Sequence, residues 1–259
     1  MQLGGLRIVF AGGFLFMIGY KSIRGLSKPD WKWITLAGFF SSFFPPFLFA
    51  LAQTEIDSGV TSILNSLAPL FTTVVGAVLF GMLITRKQLW GVFVGLIGTV
   101  VLIIAGSEFN PDQRYGYAVF ILLSALGYAF NINIIKKHLA HLSPLTVTTG
   151  SFGVVLLPAV LLLIASGFFD HIWYTDSMQH ALWYVLLLAL FGTAIANVYF
   201  NKLIHISSPV FAASVTYAIP LVAVLWGVWD NEKINAYQLI GGAIVLAGVY
   251  LVNSAKRKH

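Results

Sequence analysis

The chain has 259 residues, of which 58% are hydrophobic and only 9% charged, and its formal net charge is +6. A soluble domain carries about 25% charged residues, so this composition excludes a soluble globular protein and indicates a surface that faces lipid. The chain contains no cysteine, which excludes disulfides and thiolate metal sites. Its positive charge is explained by membrane topology, so we expect no nucleic-acid partner.

Nine apolar segments follow one another along the chain, each close to the ~20 residues that a helix needs to cross the hydrocarbon core. They cover residues 3–20, 33–52, 58–84, 89–106, 115–135, 144–166, 180–201, 208–229 and 235–253. Backbone polar groups in lipid must be bonded within their own segment, and these runs are too uniformly apolar for barrel strands. The predicted fold class is therefore an all-α integral membrane protein with nine transmembrane helices, forming one membrane domain over 1–259.

The basic residues predict the orientation of these helices. When the loops are assigned alternately to the two sides, only Arg7, Arg114 and Lys233 fall on one side. The other twelve fall on the opposite side, and they are Lys21, Arg24, Lys28, Lys32, Arg86, Lys87, Lys136, Lys137, Lys202, Lys256, Arg257 and Lys258. Loops rich in lysine and arginine stay in the cytoplasm. We therefore predict a multi-pass protein of the cell (inner) membrane with a cytoplasmic C-terminus.

The second half of the chain repeats the first about 150 residues later. Gln88-Leu89-Trp90-Gly91 recurs as Gln238-Leu239-Ile240-Gly241, and Pro69 in one apolar segment recurs as Pro220 in another. Further matches are Trp33 with Trp183, Leu36 with Leu186 and Ile56 with Ile206. We assign residues 1–106 to a first repeat and 115–253 to a second. Segment 115–135 has no counterpart, so the pattern is four plus five helices, and the repeats are inverted in topology.

Three stretches together resemble the EamA-like branch of the drug/metabolite transporter superfamily. They are Ala50–Leu79, its repeat Asn201–Trp226 and the opening Leu6–Ala11. The resemblance covers essentially the whole chain. It implies a ten-helix inverted-repeat fold and the export or exchange of small metabolites without ATP. Since the family's first helix is absent, we expect a helix of about 20 apolar residues to precede Met1 in the complete gene.

Neutral polar side chains recur at helical spacing inside the predicted spans, and they are the candidate lining of a central cavity. The candidate substrate-binding residues are Asn65, Ser66, Tyr128, Asn131, Asn197 and Tyr217. The alternative is that these groups bond across helices as packing contacts. Pro69 and Pro220 occupy equivalent places in the two repeats and are candidate hinges, although membrane helices also tolerate proline without a function.

The leading functional hypothesis is a secondary transporter that exports or exchanges a small organic metabolite or amino-acid-like compound by alternating access. Its expected partners are a small-molecule substrate and the lipid bilayer, and a homodimer is left open. An integral-membrane enzyme would need a nucleophile, base or metal constellation. No ionisable residue lies deep inside a predicted span, so we expect no enzyme, no catalytic residues, no metal and no cofactor. A non-transporting interaction or assembly subunit stays an alternative because of the missing helix.

Overall fold

The computed structural model describes residues 2–56, 61, 64–106, 114–171, 176–219, 222 and 236–254, and regular structure in these residues is helical throughout. The α-helices are α1 Gln2–Gly19, α2 Lys28–Gly38, α3 Phe44–Ala52, α4 Ala68–Val78, α5 Arg86–Gly106, α6 Ala118–His138, α7 Pro144–Ala165, α8 Phe168–His171, α9 Asp176–Ala189, α10 Ala196–Ile206, α11 Pro209–Ser214 and α12 Ala236–Asn253. Each of the nine predicted apolar segments overlaps at least one of these helices. The all-α membrane fold class is confirmed.

Five continuous helical stretches among the described residues are long and apolar enough to cross a membrane. They are Gln2–Ile23, Lys28–Ala52, Ala118–His138, Pro144–Ala165 and Ala181–Ile206. The 21-residue helix α5 also has the required length. Large apolar side chains point outward from the spans, for example Met17 at 79% exposure and Leu157 at 68%. In a membrane these side chains contact lipid and cost nothing to expose.

Hydroxyl side chains set the starting points of several helices. The Ser143 and Ser208 hydroxyls accept from the third amide of α7 and α11, and each is followed by a proline in the first turn. Thr85 and Gln88 form a reciprocal cap at the start of α5. The Gln88 amide donates to the Thr85 hydroxyl at 3.1 Å, and the Thr85 amide donates to Gln88 Oε1 at 3.0 Å. The repeated Gln-Leu-x-Gly motif thus begins, in its first copy, with a helix cap.

Helix α4 is shorter than the apolar segment 58–84 that predicted it, because the helix ends at Val78. Gly81 adopts the left-handed conformation with φ of 63°, which a helix cannot continue through, and the Met82 amide turns back to donate to the Gly76 carbonyl at 2.8 Å. Pro69 lies in the first turn of α4, just after a break at Ser66 and Leu67. Pro69 therefore does not interrupt a helix in its middle. It lies at the start of one, where its missing N–H costs no hydrogen bond.

Two spans contain a turn of π-helix at corresponding places. Residues Phe39–Phe43 join α2 to α3, and residues Leu190–Ile195 join α9 to α10. The two turns lie about 150 residues apart, which is the spacing that relates Trp33 to Trp183. A π-turn inserts one residue into the helical ladder, interrupts its regular bonds and frequently marks a functional site.

The chain divides into two compact units. Unit 1 comprises Met1–Ala50 and Ile134–Ile206. Its core forms where α1 packs on α7, and small residues let these backbones approach closely. The buried core side chains are Ile8, Ala11, Leu15, Phe152, Val155, Ala159, Ala189 and Ala194. A Cβ added at Gly38 would lie 2.7 Å from the Ser151 carbonyl oxygen, so only glycine fits there.

Unit 2 comprises Leu51–Asn133 and Ser207–His259. Its densest packing is between α5 and α12, along glycines on both helices. A Cβ on Gly91 would lie 2.7 Å from the Val252 amide nitrogen, and one on Gly98 would lie 2.5 Å from the Val245 amide nitrogen. These glycines therefore allow α5 and α12 to pack closely.

Each unit draws helices from both predicted repeats. Unit 1 takes α1 and α2 from the first repeat and α7 to α10 from the second, whereas unit 2 takes α4 and α5 from the first and α6, α11 and α12 from the second. A division of the sequence into consecutive halves is thus different from the division into compact units. The repeat boundaries at 1–106 and 115–253 stay a prediction.

Candidate functional site

The structure places five of the six predicted substrate-binding residues in one unit. Asn65, Ser66, Tyr128, Asn131 and Tyr217 belong to unit 2, and Asn197 belongs to unit 1.

Unit 2 contains buried side-chain oxygens that have no hydrogen-bond partner within the part of the chain that the structure describes. They are Thr61 Oγ1, Asn65 Oδ1, Asn131 Oδ1 and Asn133 Oδ1. An unsatisfied buried acceptor costs about 1–3 kcal/mol. Native proteins rarely leave such groups without water or a ligand to complete them. These oxygens are therefore available acceptors for the donors of a polar solute.

Thr61 and Asn65 are four residues apart in the sequence, and each lies at a helical position before α4. Thr61 is 1% exposed, and Ser66, next to Asn65, is also buried. A solute-binding role for Asn65 and Ser66 stays a prediction.

Helix α6 carries Asn131 and Asn133, and the second of these was not among the predicted site residues. The Asn133 side-chain nitrogen donates to the Thr72 carbonyl at 3.0 Å and to the Ala129 carbonyl at 2.9 Å. Its oxygen lies 2.7 Å from where a Cβ on Gly76 would be, so Gly76 makes room for the amide. Asn133 thus attaches α6 to α4. Asn133 lies on a different face of α6 from Asn131. The sequence feature that could have identified it is a second asparagine in an otherwise apolar helix.

Tyr217 is fully buried, and its hydroxyl donates to the Val92 carbonyl at 2.9 Å. Its ring packs where Gly95 lacks a side chain, because a Cβ on Gly95 would lie 2.5 Å from the ring edge. This geometry is a packing contact between α5 and the turn that follows α11. Tyr128 on α6 is half-buried, and a solute-binding role for either tyrosine stays a prediction.

Asn197 in unit 1 is half-buried and lies directly after the second π-turn. Its side-chain nitrogen donates to the Thr193 carbonyl at 2.7 Å. The Thr193 hydroxyl accepts from Arg7 of α1, at 3.2 Å from Nε and 3.0 Å from Nη2. A guanidinium and a candidate amide are therefore bonded to the same residue. Arg7 was not among the predicted substrate-binding residues, because it lies near the end of its predicted span.

The two candidate hinges have different outcomes. Pro69 lies at the break that precedes α4, and the Thr73 hydroxyl donates to its carbonyl at 2.8 Å. Pro220 lies outside the described residues. The hinge role stays a prediction for both prolines.

A small recess in unit 2 lies beside Asn133. Its polar lining consists of Thr72, Gln88, Asn133 and Ser208. Gln88 Nε2 donates to the Ser208 hydroxyl at 3.2 Å, and this bond joins the cap of α5 to the cap of α11. The recess has about 10 Å³ of open volume, which is room for one water molecule.

The helical spans, the lipid-facing apolar surfaces and the buried neutral polar groups define a multi-pass membrane protein. The model of the EamA-like transporter family matches residues 1–104 and 116–254. This match covers nearly the whole chain, and the chain belongs to the EamA-like transporter family. It is a membrane transporter, and the resemblance drawn from its sequence is confirmed.

Curated relatives agree with this assignment. The chain is 25% identical to a "Probable amino-acid metabolite efflux pump" of Salmonella typhimurium, over 94% of this chain and 84% of the relative. It is 26% identical to the "Uncharacterized inner membrane transporter YedA" of Escherichia coli, over 99% of this chain and 82% of the relative.

A solved structure, described as "Crystal structure of protein", shares the fold with a TM-score of 0.75 at 21% identity. The match covers 96% of this chain and 85% of the solved one. At this identity the likeness concerns the fold alone.

Proposed function

We propose that this chain is a secondary transporter of the cell (inner) membrane that exports or exchanges a small organic metabolite or amino-acid-like compound by alternating access. The proposal is carried by one observation in a chain of a transporter family. Unit 2 has buried side-chain oxygens without a hydrogen-bond partner among the described residues. Packing alone does not account for these atoms, since an apolar side chain would fill the same space without the desolvation cost. The relatives named for amino-acid metabolite efflux and inner-membrane transport support the same substrate class and location.

Asn65 and Asn131 are the residues that we assign to the solute. Both amide oxygens are buried and have no hydrogen-bond partner among the described residues, so each can accept a hydrogen bond from an ammonium or hydroxyl group. Apolar side chains supply the remaining contact area, as in most small-molecule sites. The fully bonded Tyr217 is better explained as a packing residue.

Alternating access requires equivalent flexible points in the two inverted repeats. The π-turns at Phe39–Phe43 and Leu190–Ile195 are such a pair, because their hydrogen bonding is already interrupted. Pro69, at the start of α4 after a break, is a further flexible point in the first repeat.

The proposed function is tested by export from cells that express the chain. Cells are preloaded with a panel of labelled amino acids and related small acids and amines, and efflux is compared with vector controls. We expect accelerated efflux of at least one compound, and Asn65→Leu to lower that efflux per folded molecule at least about tenfold, as loss of one buried polar contact to the solute implies. Equal efflux from expressing and control cells across the panel would contradict the proposal.

The proposed orientation has its own test. Reporter tags beside Arg86 and after His259 should lie in the cytoplasm, and a tag at Asp170 should lie outside, because basic loops stay inside. A cytoplasmic Asp170 tag would overturn both the orientation and the inverted-repeat scheme.

A further inference from the structure

A guanidinium lies inside the first span, and no ion pair to it is found among the described residues. Arg7 is half-buried and follows the start of α1 at Gln2 by five residues, so it lies about 8 Å along the helix. The ion pairs between described residues are Arg114 with Glu55 and His141 with Asp30. Within the described part of the chain, no carboxylate compensates the charge of Arg7.

The hydrogen bonds of Arg7 use only a fraction of its donors. Nε and Nη2 both donate to a single neutral acceptor, the Thr193 hydroxyl, at 3.2 and 3.0 Å. A guanidinium has five N–H donors arranged as a planar fork. The remaining donors are suited to a planar, bidentate acceptor, and a carboxylate is the group that matches this geometry.

A cation within a membrane span is costly unless it is paired, and such residues commonly mark solute or ion pathways. A guanidinium that is held by a hydroxyl keeps its full positive charge, because the hydroxyl orients the group without neutralising it. The side chain is therefore positioned in advance for an anionic partner.

The threonine that holds Arg7 belongs to the π-turn Leu190–Ile195. Thr193 is 8% exposed, and its carbonyl accepts from the Asn197 side chain at 2.7 Å. Arg7 and Asn197 thus meet at one residue of an irregular helix turn. Because π-turns frequently occur at functional sites, this is a second observation that points to a binding site.

We propose that Arg7, positioned by Thr193, binds the carboxylate of the transported solute. The inference rests on the proposed function and narrows its substrate class to small carboxylates, including amino acids. Asn197, bonded to the Thr193 carbonyl, is the neighbouring group for a second polar contact of the same solute.

The test measures binding of matched probes to the purified full chain. The probes are L-phenylalanine, L-leucine and L-threonine, each paired with its α-carboxamide, and thermal stabilisation in detergent gives the affinity. We expect at least one amino acid to bind the wild-type protein at least tenfold more tightly than its amide. Arg7→Gln should weaken binding of that amino acid at least tenfold and leave its amide unchanged.

Two further variants control for charge and folding. Arg114→Gln also removes one positive charge, from an exposed side chain, and should change neither probe. Arg7→Lys keeps the charge but loses the planar fork, and should weaken the amino acid about threefold to tenfold. If Arg7→Gln does not fold, Arg7→Lys and the wild-type preference for acid over amide decide the question. Equal wild-type affinity for every acid and its amide, or unchanged binding in a folded Arg7 variant, would overturn the carboxylate site.

Counterflow in proteoliposomes separates this inference from the proposed function. If a carboxylate binds in a way that depends on Arg7 but no probe shows counterflow, the carboxylate site is supported and the proposed transport function is refuted. If counterflow is equal for acids and amides and Arg7→Gln does not change it, the proposed transport function is supported and the carboxylate site is refuted.

Discussion

The two units treat their buried polar side chains differently. In unit 1 several of these groups tie helices together, as where the Asn201 side-chain nitrogen donates to the Thr148 hydroxyl at 2.8 Å, although His205 Nε2 is buried there without a partner among the described residues. The Thr149 hydroxyl similarly donates to the Leu15 carbonyl at 3.4 Å. In unit 2, four buried oxygens of the same residue types have no partner among the described residues. The difference indicates that these hydroxyl and amide groups of unit 1 hold helices together, whereas several oxygens of unit 2 are available to accept hydrogen bonds from a solute.

The largest expected effect concerns the packing of unit 2. A Cβ at Gly248 would collide with the backbone of Gly95 and lie 2.9 Å from the Gly91 carbonyl oxygen, whereas Gly13 in unit 1 has open space beside it. We expect Gly248→Ala to destabilise the protein by about 3 kcal/mol, the upper end of typical overpacking costs. Thermal unfolding in detergent measures this.

Gly13→Ala is the matched control and should stay within about 0.5 kcal/mol of wild type, with a small gain from helix propensity. Similar melting temperatures for the two variants would show that α5 and α12 can separate without cost, and the close packing assigned to unit 2 would be wrong.

The next prediction sets two asparagines against each other. Asn131→Leu in unit 2 removes an unsatisfied oxygen, so stability should be kept or raised while efflux per folded molecule falls about tenfold. Asn201→Leu in unit 1 removes a bond between helices, so stability should fall by about 1 kcal/mol while efflux per folded molecule is kept. Melting temperature and efflux are measured on both variants.

The opposite pattern in this pair, with Asn131→Leu unstable but active and Asn201→Leu stable but inactive, would reverse the roles assigned to the two units. Equal effects in both variants would mean that the missing partners in unit 2 have no functional meaning.

The smallest effect is expected at the satisfied polar group of unit 2. Tyr217→Phe deletes the hydroxyl that donates to Val92 and keeps the ring in place. Stability should fall by about 0.6–1 kcal/mol, with transport per folded molecule unchanged. Reduced transport at unchanged stability would instead indicate that the Tyr217 hydroxyl binds the solute.

Several features of the fold were predictable from local sequence. Long apolar runs imply helices because the bilayer offers no water to the backbone, so each span must satisfy its own polar groups. Caps were also readable in principle, since Thr85 and Gln88 carry the spacing of a capping box. The end of α4 was placed too late because the apolar run continues to Ile84, whereas Gly81 ends the helix through its backbone conformation.

The sequence by itself determined that this is an all-helical membrane transporter of the EamA-like family, because composition, apolar segment length and motif spacing are local properties of the chain. Only the tertiary structure decided which polar side chains are satisfied. Asn131 and Asn201 are the same residue type in similar apolar helices. The Asn131 oxygen has no partner among the described residues, whereas the Asn201 side chain bonds Thr148. The neighbours that decide this lie far away in sequence, as Arg7 and Thr193 also show, and local patterns carry no information about them.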